Sequence, residues 1–371
     1  MIVYEDLLSL EKLYDVYKNI CLTTKHQRKL LRFELSFSCN MIHILDILKK
    51  EQYHHGRYCL FLISFPKYRL IMSENIEDKI INHLVSKYIL LPSLSPKLIE
   101  MNVATRVDKG TKAALYYLKK YINRLKENYD KIYVLKCDIR KYFYNIDHCI
   151  LLEKLKRDIE DPRIHHLLEE IISSTDASYI NQQIEQLIKK ELERVNKSKV
   201  SNARDIKEKL YQIPFYRKGK GLPIGNETSQ ILAIYYLNEL DHYIKEVLHI
   251  KCYIRYMDDF ILLHPDRAYL QYCFKQINLK VKELKLELNH KTQIYDLSHG
   301  LNFLGYRFLL KGKKTIVLIN NQTKKRVKRK LKRMCKKQSM SYPQVVASYY
   351  GYFKQADANY FMYKNKIALK K

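Results

Sequence analysis

Apolar positions along the chain follow two periods, one typical of helices and one typical of strands. Residues 5–50 and the stretch IEDKIINHLVSKYIL (76–90) carry apolar side chains at the spacing of amphipathic helices. The stretch RYCLFLISFPKYRLIMS contains two strand-like runs joined near Pro66. In KIYVLKCDIRKYFYNIDHCILLEKL an aliphatic run ends at Asp138, and a helix is predicted to start near Asp147, whose side chain can cap it. The pattern therefore predicts a mixed α+β protein.

The second half of the chain continues this alternation. CYIRYMDDFILLH (252–264) predicts two strands joined by a turn, followed by a helix around 266–287 and by the strand-like runs LNHKTQIY and LNFLGYRF. Residues 160–212 are rich in charged and amide side chains, which predicts a peripheral helical insertion. A length of 371 residues predicts two or three packed units.

A strongly basic stretch, KKRVKRKLKRMCKK, begins at residue 324. Val327, Leu331, Met334 and Cys335 recur at helical spacing, so one stripe can pack against the protein while the other faces stay cationic. The alternative is a solvated or disordered basic tail. The apolar stripe and the aromatic residues that follow it favour a folded helix facing phosphate groups.

The overall charge indicates a polyanionic partner. The chain has 68 Lys and Arg against 39 Asp and Glu, a formal net charge of +29. Such an excess repels itself unless counterions or a polyanion offset it, and it exceeds what solubility requires. Nucleic acid is therefore the expected partner, and a merely solvated basic surface is the alternative.

Cysteine spacing and apolar run lengths bear on the compartment. The eight cysteines form no CxxC pair and lie mostly in apolar runs, which favours reduced core thiols over zinc sites or disulfides. The first residues, MIVYEDLLSLEKL, are acidic and amphipathic, and no apolar run approaches the roughly 18 residues of a membrane span. We expect a cytoplasmic protein that does not contact a membrane.

Three aspartates carry the candidate chemistry. Asp258 and Asp259 are adjacent within a strand-like run, where like charges raise each other's pKa unless cations hold both ionised. They can share a metal only at a hairpin turn, because consecutive strand side chains point to opposite faces. Asp138 would have to arrive on a neighbouring strand. Hard carboxylate oxygens suit Mg²⁺, and a pair of such ions catalyses phosphoryl displacement, which predicts nucleotidyl transfer.

A loop before a predicted helix offers a separate site for phosphate. ATRVDKGTKAALYYLKKYI places Arg106, Lys109 and Gly110 at the helix start, where backbone N–H groups and cations favour anions.

Seven motifs in order resemble those of reverse transcriptases over nearly the whole chain: PKYRLI, ATRVDKGT, CDIRKYF, GLPIGNETSQ, YMDD, LNHKT and FLGY. The resemblance implies a right-hand polymerase with fingers over 1–130, a palm over 131–310 with the insertion at about 160–212, and a basic helical thumb over 311–371. It implies an enzyme that uses two Mg²⁺ ions, with Mn²⁺ as a possible substitute. Its partners would be an RNA template, a primer or cDNA strand, and dNTPs.

The same resemblance implies roles for individual residues. Asp138 and Asp258 would be metal ligands, with Asp259 as a third, less direct carboxylate, and Lys291 would lie near the leaving pyrophosphate as a general acid. Phe143 matches the aromatic gate that excludes a 2′-OH, although Tyr142 or Tyr144 could be the matching residue. Other implied contacts to the nucleotide are made by Lys67, Arg69, Ile224, Gly225, Gln230 and Tyr256. Implied contacts to nucleic acid are made by Arg106, Lys109, Lys220, Gly305, Lys328, Arg329, Lys332 and Arg333.

The Gly-rich motif bears on the subfamily. Ile224 stands where many reverse transcriptases have Gln, and Gln230 stands where they have Pro, a pattern that resembles diversity-generating retroelements. An aliphatic side chain cannot hydrogen-bond the incoming nucleotide, which predicts error-prone copying. That subfamily implies a bacterial or phage source, a dedicated noncoding template RNA that is copied with frequent errors at adenines, and a small basic accessory protein. A bacterial antiphage-defence reverse transcriptase and a non-catalytic RNA-binding scaffold are the alternatives.

Overall fold

The computed structural model describes residues 2–24, 27–64, 67–106, 108–198, 202–312, 314–336, 340–365 and 367. Pro66, which the sequence places between two strands, lies outside the described residues. The strands are β1 (Cys59–Ile63), β2 (Arg69–Ser73), β3 (Tyr133–Asp138), β4 (Cys252–Tyr256), β5 (Asp259–His264), β6 (Gln293–Asp296), β7 (Leu301–Phe303), β8 (Tyr306–Lys311) and β9 (Lys314–Ile319).

Helices account for most of the remaining described chain. They are α1 (Leu10–Thr23), α2 (Gln27–Glu34), α3 (Phe37–Lys49), α4 (Ile76–Val85), α5 (Leu91–Leu94), α6 (Thr111–Asn128), α7 (Tyr142–Asn145), α8 (His148–Asp158), α9 (Pro162–Ser173), α10 (Tyr179–Lys197), α11 (Ala203–Tyr211), α12 (Glu227–Tyr236), α13 (Asn238–His242), α14 (Arg267–Glu283), α15 (Asn321–Lys336), α16 (Tyr342–Phe353) and α17 (Asn359–Lys364). Short π-helical turns follow α4 and α13. The mixed helix-and-sheet class predicted from the sequence is confirmed.

Two compact units are interleaved along the chain. The first comprises Met1–Ile99, Ile139–Asp241 and Lys280–Glu287, and the second comprises Glu100–Asp138, His242–Leu279 and Leu288–Lys371. Their boundaries differ from the divisions at residues 130 and 310, so the assignment of fingers, palm and thumb stays a prediction.

The first unit joins the β1–β2 hairpin to helices. β1 pairs with β2 antiparallel, with Cys59 opposite Ser73. A buried apolar cluster joins that hairpin to α10 and α11, and it includes Leu60, Leu70, Met72, Ile180, Ile184, Ile188 and Leu210. The described residues of the segment 160–212 are therefore mostly helical, as their pattern predicts, but the segment is not peripheral, because its apolar stripe completes this cluster.

The second unit contains two antiparallel sheets. One has the strand order β4-β5-β3-β6, and the other has the order β7-β8-β9. Helix α6 packs its apolar face, including Leu115, Leu118 and Ile122, into the same core as Val134 and Ile261. The core gives the strand ends a rigid base, which is the arrangement that positions polar side chains most accurately.

Helix α15 follows the predicted pattern in part. Val327 and Leu331 are buried and Met334 is partly buried, as the stripe predicts. Cys335 is exposed, which corrects its assignment to the stripe. At about 100° per residue, position 335 lies about 80° from Val327 around the helix, whereas Met334 returns to the same side.

The cysteines are less buried than expected. All eight are free, as predicted, but only Cys137, Cys252 and Cys273 are buried. Cys39, Cys59, Cys149 and Cys335 are exposed, so the expectation of core thiols is wrong for these four. Apolar residues adjacent in sequence do not determine whether a cysteine side chain points toward the core or toward solvent. In the part of the chain that the structure describes, no helix is long and apolar enough to cross a bilayer.

Candidate active site

The three aspartates meet at the ends of neighbouring strands in the second unit. β3 ends at Asp138 and β5 begins at Asp259, and these two residues are opposite each other in the antiparallel pair. Asp258 lies in the turn that joins β4 to β5. The sequence-based expectations of a hairpin turn at Asp258 and Asp259, and of Asp138 on an adjacent strand, are both confirmed.

The hairpin turn is held by Arg255, whose side chain is fully buried on β4. Its Nη1 donates to the carbonyl oxygen of Met257 at 2.9 Å. Met257 has a φ of 58°, a left-handed backbone conformation that costs a non-glycine residue free energy unless its surroundings support it. The Arg255 contact therefore fixes the backbone just before Asp258.

The aspartates lie in different local environments. Burial raises the pKa of Asp259 to about 6, Lys136 opposes that shift, and the charges of Asp138 and Asp258 add to it. Lys136 Nζ is 3.4 Å from Asp259 Oδ2, whereas Asp259 Oδ1 is buried without a hydrogen-bond partner. The effect of the Asp138 and Asp258 charges on Asp259 agrees with the strand register, which sets the three aspartates at neighbouring strand ends.

Asp138 is held by a residue that the sequence analysis did not single out. Asn289 donates from Nδ2 to Asp138 Oδ2 at 2.8 Å, and its backbone N–H donates to the Asp138 carbonyl at 2.7 Å. These two bonds fix the carboxylate orientation and leave Asp138 Oδ1 for other contacts. Asn289 belongs to the motif LNHKT, of which only Lys291 was given a role.

Carboxylate oxygens are the ligand type that a hard cation prefers. Mg²⁺ is usually bound through one or two carboxylates plus substrate phosphates and waters, and Asp138 and Asp258 could supply those carboxylates. Among the residues that the structure describes, no group of three or more His, Cys, Asp or Glu side chains is arranged to hold a metal ion. The contact with Lys136 distinguishes Asp259 from the other two aspartates, and its role as a metal ligand stays a prediction.

Several other predicted residues also lie in the second unit. Tyr256 ends β4 opposite Asp259, and Lys291 is exposed with its backbone N–H bonded to Asn289 Oδ1. Gly305 lies in the β7–β8 turn with a φ of 86°, and a Cβ there would lie 2.6 Å from the Tyr352 hydroxyl. Glycine at position 305 therefore allows the Tyr352 hydroxyl to approach the backbone closely, and the contact of Gly305 with nucleic acid stays a prediction.

The basic residues of the second unit differ in their exposure to solvent. Lys328, Arg329, Lys332 and Arg333 are all exposed on α15. Arg106 and Lys109 are partly buried and donate to the carbonyls of Asn102 and Glu100. Burial lowers the pKa of Arg106 and of Lys109. The α15 residues are thus the more accessible of the two groups.

The first unit brings a second set of predicted residues together. The Phe143 carbonyl accepts a hydrogen bond from Leu222 N–H at 2.7 Å, and the Ile224 carbonyl accepts one from Met72 N–H at 2.9 Å. Met72 lies on β2, which begins at the exposed Arg69. A Cβ on Gly225 would lie 2.5 Å from the Met72 carbonyl oxygen, so glycine allows this close approach.

The remaining first-unit residues are more dispersed. Lys67 is exposed just before β2, and Gln230 is exposed on α12. The backbone of Lys220 forms an isolated antiparallel β-bridge with that of Asp147, the N-cap residue of α8. Burial alone would raise the pKa of Asp147, but Lys285, the Ile150 N–H and Lys220 together lower it. Lys220 thus has a structural partner in addition to its predicted nucleic-acid contact.

Comparison with known proteins places this site in a family. A model of the reverse transcriptase (RNA-dependent DNA polymerase) family matches residues 48–308, more than half of the chain and including all three aspartates. The chain belongs to that family and is an RNA-directed DNA polymerase, a nucleotidyltransferase. Membership implies an RNA template, a primer and dNTPs as substrates, and such enzymes generally use divalent metal ions, typically Mg²⁺. A search of curated proteins found no match.

Proposed function

We propose that the protein makes cDNA from a dedicated RNA template by two-metal nucleotidyl transfer, with low fidelity, as part of a diversity-generating retroelement. The observation that carries the catalytic part is the register of β3 and β5, which sets Asp138 opposite Asp259 and next to the turn that holds Asp258. Bound Mg²⁺ would supply the charge that stabilises the attacking and leaving oxygens. The protein would act in the cytoplasm.

Each site residue has a distinct task in this proposal. Asp138 and Asp258 would hold the metal ions, and Asn289 keeps the Asp138 carboxylate in one orientation through its 2.8 Å hydrogen bond. Lys291 gives a proton to the leaving pyrophosphate. Gly305 supports the primer strand, and the exposed cations of α15 bind its phosphates.

Residues of the first unit would bind the incoming nucleotide. Lys67 and Arg69 contact the triphosphate, since a guanidinium can bind two phosphate oxygens at once. Phe143 excludes a 2′-OH by steric contact. The backbone bonds from Leu222 to Phe143 and from Met72 to Ile224 support a common position for these residues. Fingers, palm and thumb of a right-hand polymerase would then correspond to 1–130, 131–310 and 311–371.

Primer extension on an RNA template tests the catalytic proposal. Wild type should extend a primer with dNTPs and Mg²⁺, and removal of the metal with a chelator should stop extension. Asp258→Ala should lower the rate by a factor of about 10³ or more, because one metal-binding carboxylate is lost. Asp130→Ala, an exposed aspartate of the same unit, is the matched control.

The scaffold alternative makes the opposite prediction for that assay. If wild type and Asp258→Ala bind RNA equally and extend equally little, the protein acts as a non-catalytic RNA-binding scaffold. Equal activity of the two proteins would instead refute the role of Asp258.

Ile224 carries the fidelity proposal. Its side chain is partly exposed, and it offers no hydrogen bond to a nucleotide. Ile224→Gln should lower misincorporation opposite template adenine by about 5- to 10-fold, since one added hydrogen bond contributes about 1 kcal/mol to discrimination. Ile224→Leu, which stays apolar, should leave the error rate unchanged. An unchanged error rate in Ile224→Gln would contradict the proposal.

An antiphage-defence reverse transcriptase is the second candidate. It is favoured by α10 and α11, two helices that lie between the motifs CDIRKYF and GLPIGNETSQ, because the resemblance to defence enzymes implies similar motifs with added elements. Sequencing the nucleic acid that copurifies with the protein separates the two candidates. Recovery of cDNA copied from a template repeat with errors at adenines, together with copurification of the small accessory protein, supports the retroelement. Recovery of cDNA that is unrelated to such a repeat supports the defence enzyme.

A further inference from the structure

Lys136 lies on β3, two residues before Asp138, and so points to the same face of the sheet. Its Nζ is 3.4 Å from Asp259 Oδ2 and donates to the carbonyl oxygen of Asn302 at 2.9 Å. Both charged side chains of the ion pair are about one-quarter exposed, 27% for Lys136 and 25% for Asp259. The contact is therefore better shielded from solvent than an ordinary surface ion pair.

The sheet register brings this contact about. Asp138 is opposite Asp259, and Lys136 is opposite Ile261, so Lys136 and Asp259 are diagonal neighbours on one face. A long side chain can reach a diagonal neighbour across two strands. Lys136 thus lies where its charge can offset that of Asp259 while Asp138 keeps its separate bond to Asn289.

The second contact of Lys136 leads to the other sheet of the same unit. Asn302 lies on β7, which pairs with β8 through the turn that contains Gly305. Through its ammonium group, Lys136 therefore connects its own strand, β3, to Asp259 at the start of β5 and to the β7–β8 hairpin that carries Gly305. An ammonium group has three donors, so both contacts can be made together.

We propose that Lys136 is a positioning residue that neutralises Asp259 and fixes the β7–β8 hairpin relative to the aspartates. This inference rests on the proposed function, because it concerns the primer terminus and the metal-binding pair. Asp259 then serves as an anchoring carboxylate, and Asp138 and Asp258 are left to hold metal ions.

The test compares Lys136→Met, Lys136→Arg and Asp259→Asn in single-nucleotide primer extension. Lys136→Met should lower kcat by about 10-fold or more with little change in the KM for dNTP, as is typical when a residue that orients metal-site groups is lost. Lys136→Arg keeps the charge and the donors and should retain most of the rate. Lys131→Met, an exposed lysine five residues earlier, is the matched control.

A double-variant cycle tests whether Lys136 acts through Asp259. If it does, Lys136→Met combined with Asp259→Asn should be no slower than the slower single variant. If the fold reductions in kcat of the two single variants multiplied in the double variant, the proposal would be overturned. A wild-type kcat for Lys136→Met, in an assay where Asp258→Ala is inactive, would also overturn it.

Amide hydrogen exchange provides a readout that needs neither metal nor catalysis. Backbone amides of residues 301–311 should exchange faster in Lys136→Met than in wild type, and they should be unchanged in Asp259→Asn, which keeps the Asn302 contact. Equal exchange in all three proteins would overturn the link between Lys136 and β7. If wild type showed no Asp258-dependent extension, the proposed function would fail, and the exchange experiment would still decide this link.

Discussion

Glu74, which follows β2, has a buried side chain, and its backbone carbonyl oxygen accepts a hydrogen bond from Lys29 Nζ at 2.9 Å. Its Oε2 accepts a hydrogen bond from Asn82 Nδ2 at 2.9 Å, and Asn82 Oδ1 in turn accepts one from the Thr228 hydroxyl at 2.6 Å. Burial, with the nearby charge of Asp78, raises the pKa of Glu74 to about 8. The folded protein therefore keeps a proton that the unfolded chain releases at lower pH.

Glu74→Gln should change the pH dependence of stability. As pH rises from about 4.5 to about 8, the unfolded chain loses the proton first, so wild type loses stability across that interval. Gln has no proton to lose and can still accept the Asn82 bond. The melting temperature of Glu74→Gln relative to wild type should therefore increase across that interval and then level off.

Thermal melting at several pH values checks this prediction. Glu11→Gln, an exposed carboxyl group on α1, is the control and should show no such trend. A difference between Glu74→Gln and wild type that stays constant with pH would contradict the prediction.

The positions of the aspartates could be predicted from sequence, but their supporting contacts could not. The alternation of strand side chains required a turn at Asp258 and a neighbouring strand for Asp138, and both are present. The contacts from Lys136 and Asn289 depend on which strands pair and in which register. Strand alternation could have placed Lys136 on the same face as Asp138, but it could not identify Asp259 as its partner.

Helices α10 and α11 determine how the β1–β2 hairpin is supported. The helical period of α10 and α11 could be predicted from the sequence. Their packing partner could not, because most of their residues are charged or carry amides and the apolar stripe between them is narrow. Ile184, fully buried on α10, belongs to the same cluster as Leu70 and Met72 of β2. This packing connects the segment to the strand that begins at Arg69.

Ile184→Ala should therefore destabilise the protein and weaken nucleotide binding. Removing a buried Ile side chain typically lowers the free energy of unfolding by about 2–5 kcal/mol. If the β1–β2 hairpin contacts the triphosphate, the KM for dNTP should also increase. Chemical denaturation and steady-state primer extension measure the two effects.

An exposed residue on the same helix supplies the comparison. Gln186→Ala lies two positions further along α10 and should change stability by no more than about 0.5 kcal/mol. Equal effects of the two substitutions would show that α10 does not support the hairpin through Ile184.

The charge of the whole molecule sets the strength and the salt dependence of nucleic-acid binding. A net charge of +29 favours any polyanion, but individual cations differ in accessibility, as the α15 residues and the pair Arg106 and Lys109 illustrate. Composition predicted the class of partner. It could not indicate which cations are occupied by the protein's own carbonyls.

Replacing Lys328, Arg329, Lys332 and Arg333 with Gln should weaken binding and reduce its salt dependence. Each phosphate contact that is lost makes the slope of log K against log salt less negative by about 0.7–0.9, so four contacts would change it by about 3. Fluorescence anisotropy with a primer–template duplex at several salt concentrations measures this slope.

A variant of equal charge distinguishes α15 from a general electrostatic effect. Lys189, Lys190, Arg194 and Lys197 are exposed on α10, and their replacement with Gln removes the same charge. If both variants shifted the slope equally, net charge rather than α15 would govern binding.

The interleaving of the two units has a consequence for how this polymerase is made in the cell. The first unit needs residues up to Glu287, and the second needs residues on both sides of that point. During translation, neither unit can be completed until the residues up to at least Glu287 have left the ribosome. The nascent chain must therefore carry incomplete sheets and a large positive charge for much of its synthesis, so chaperones or early RNA binding should influence its yield.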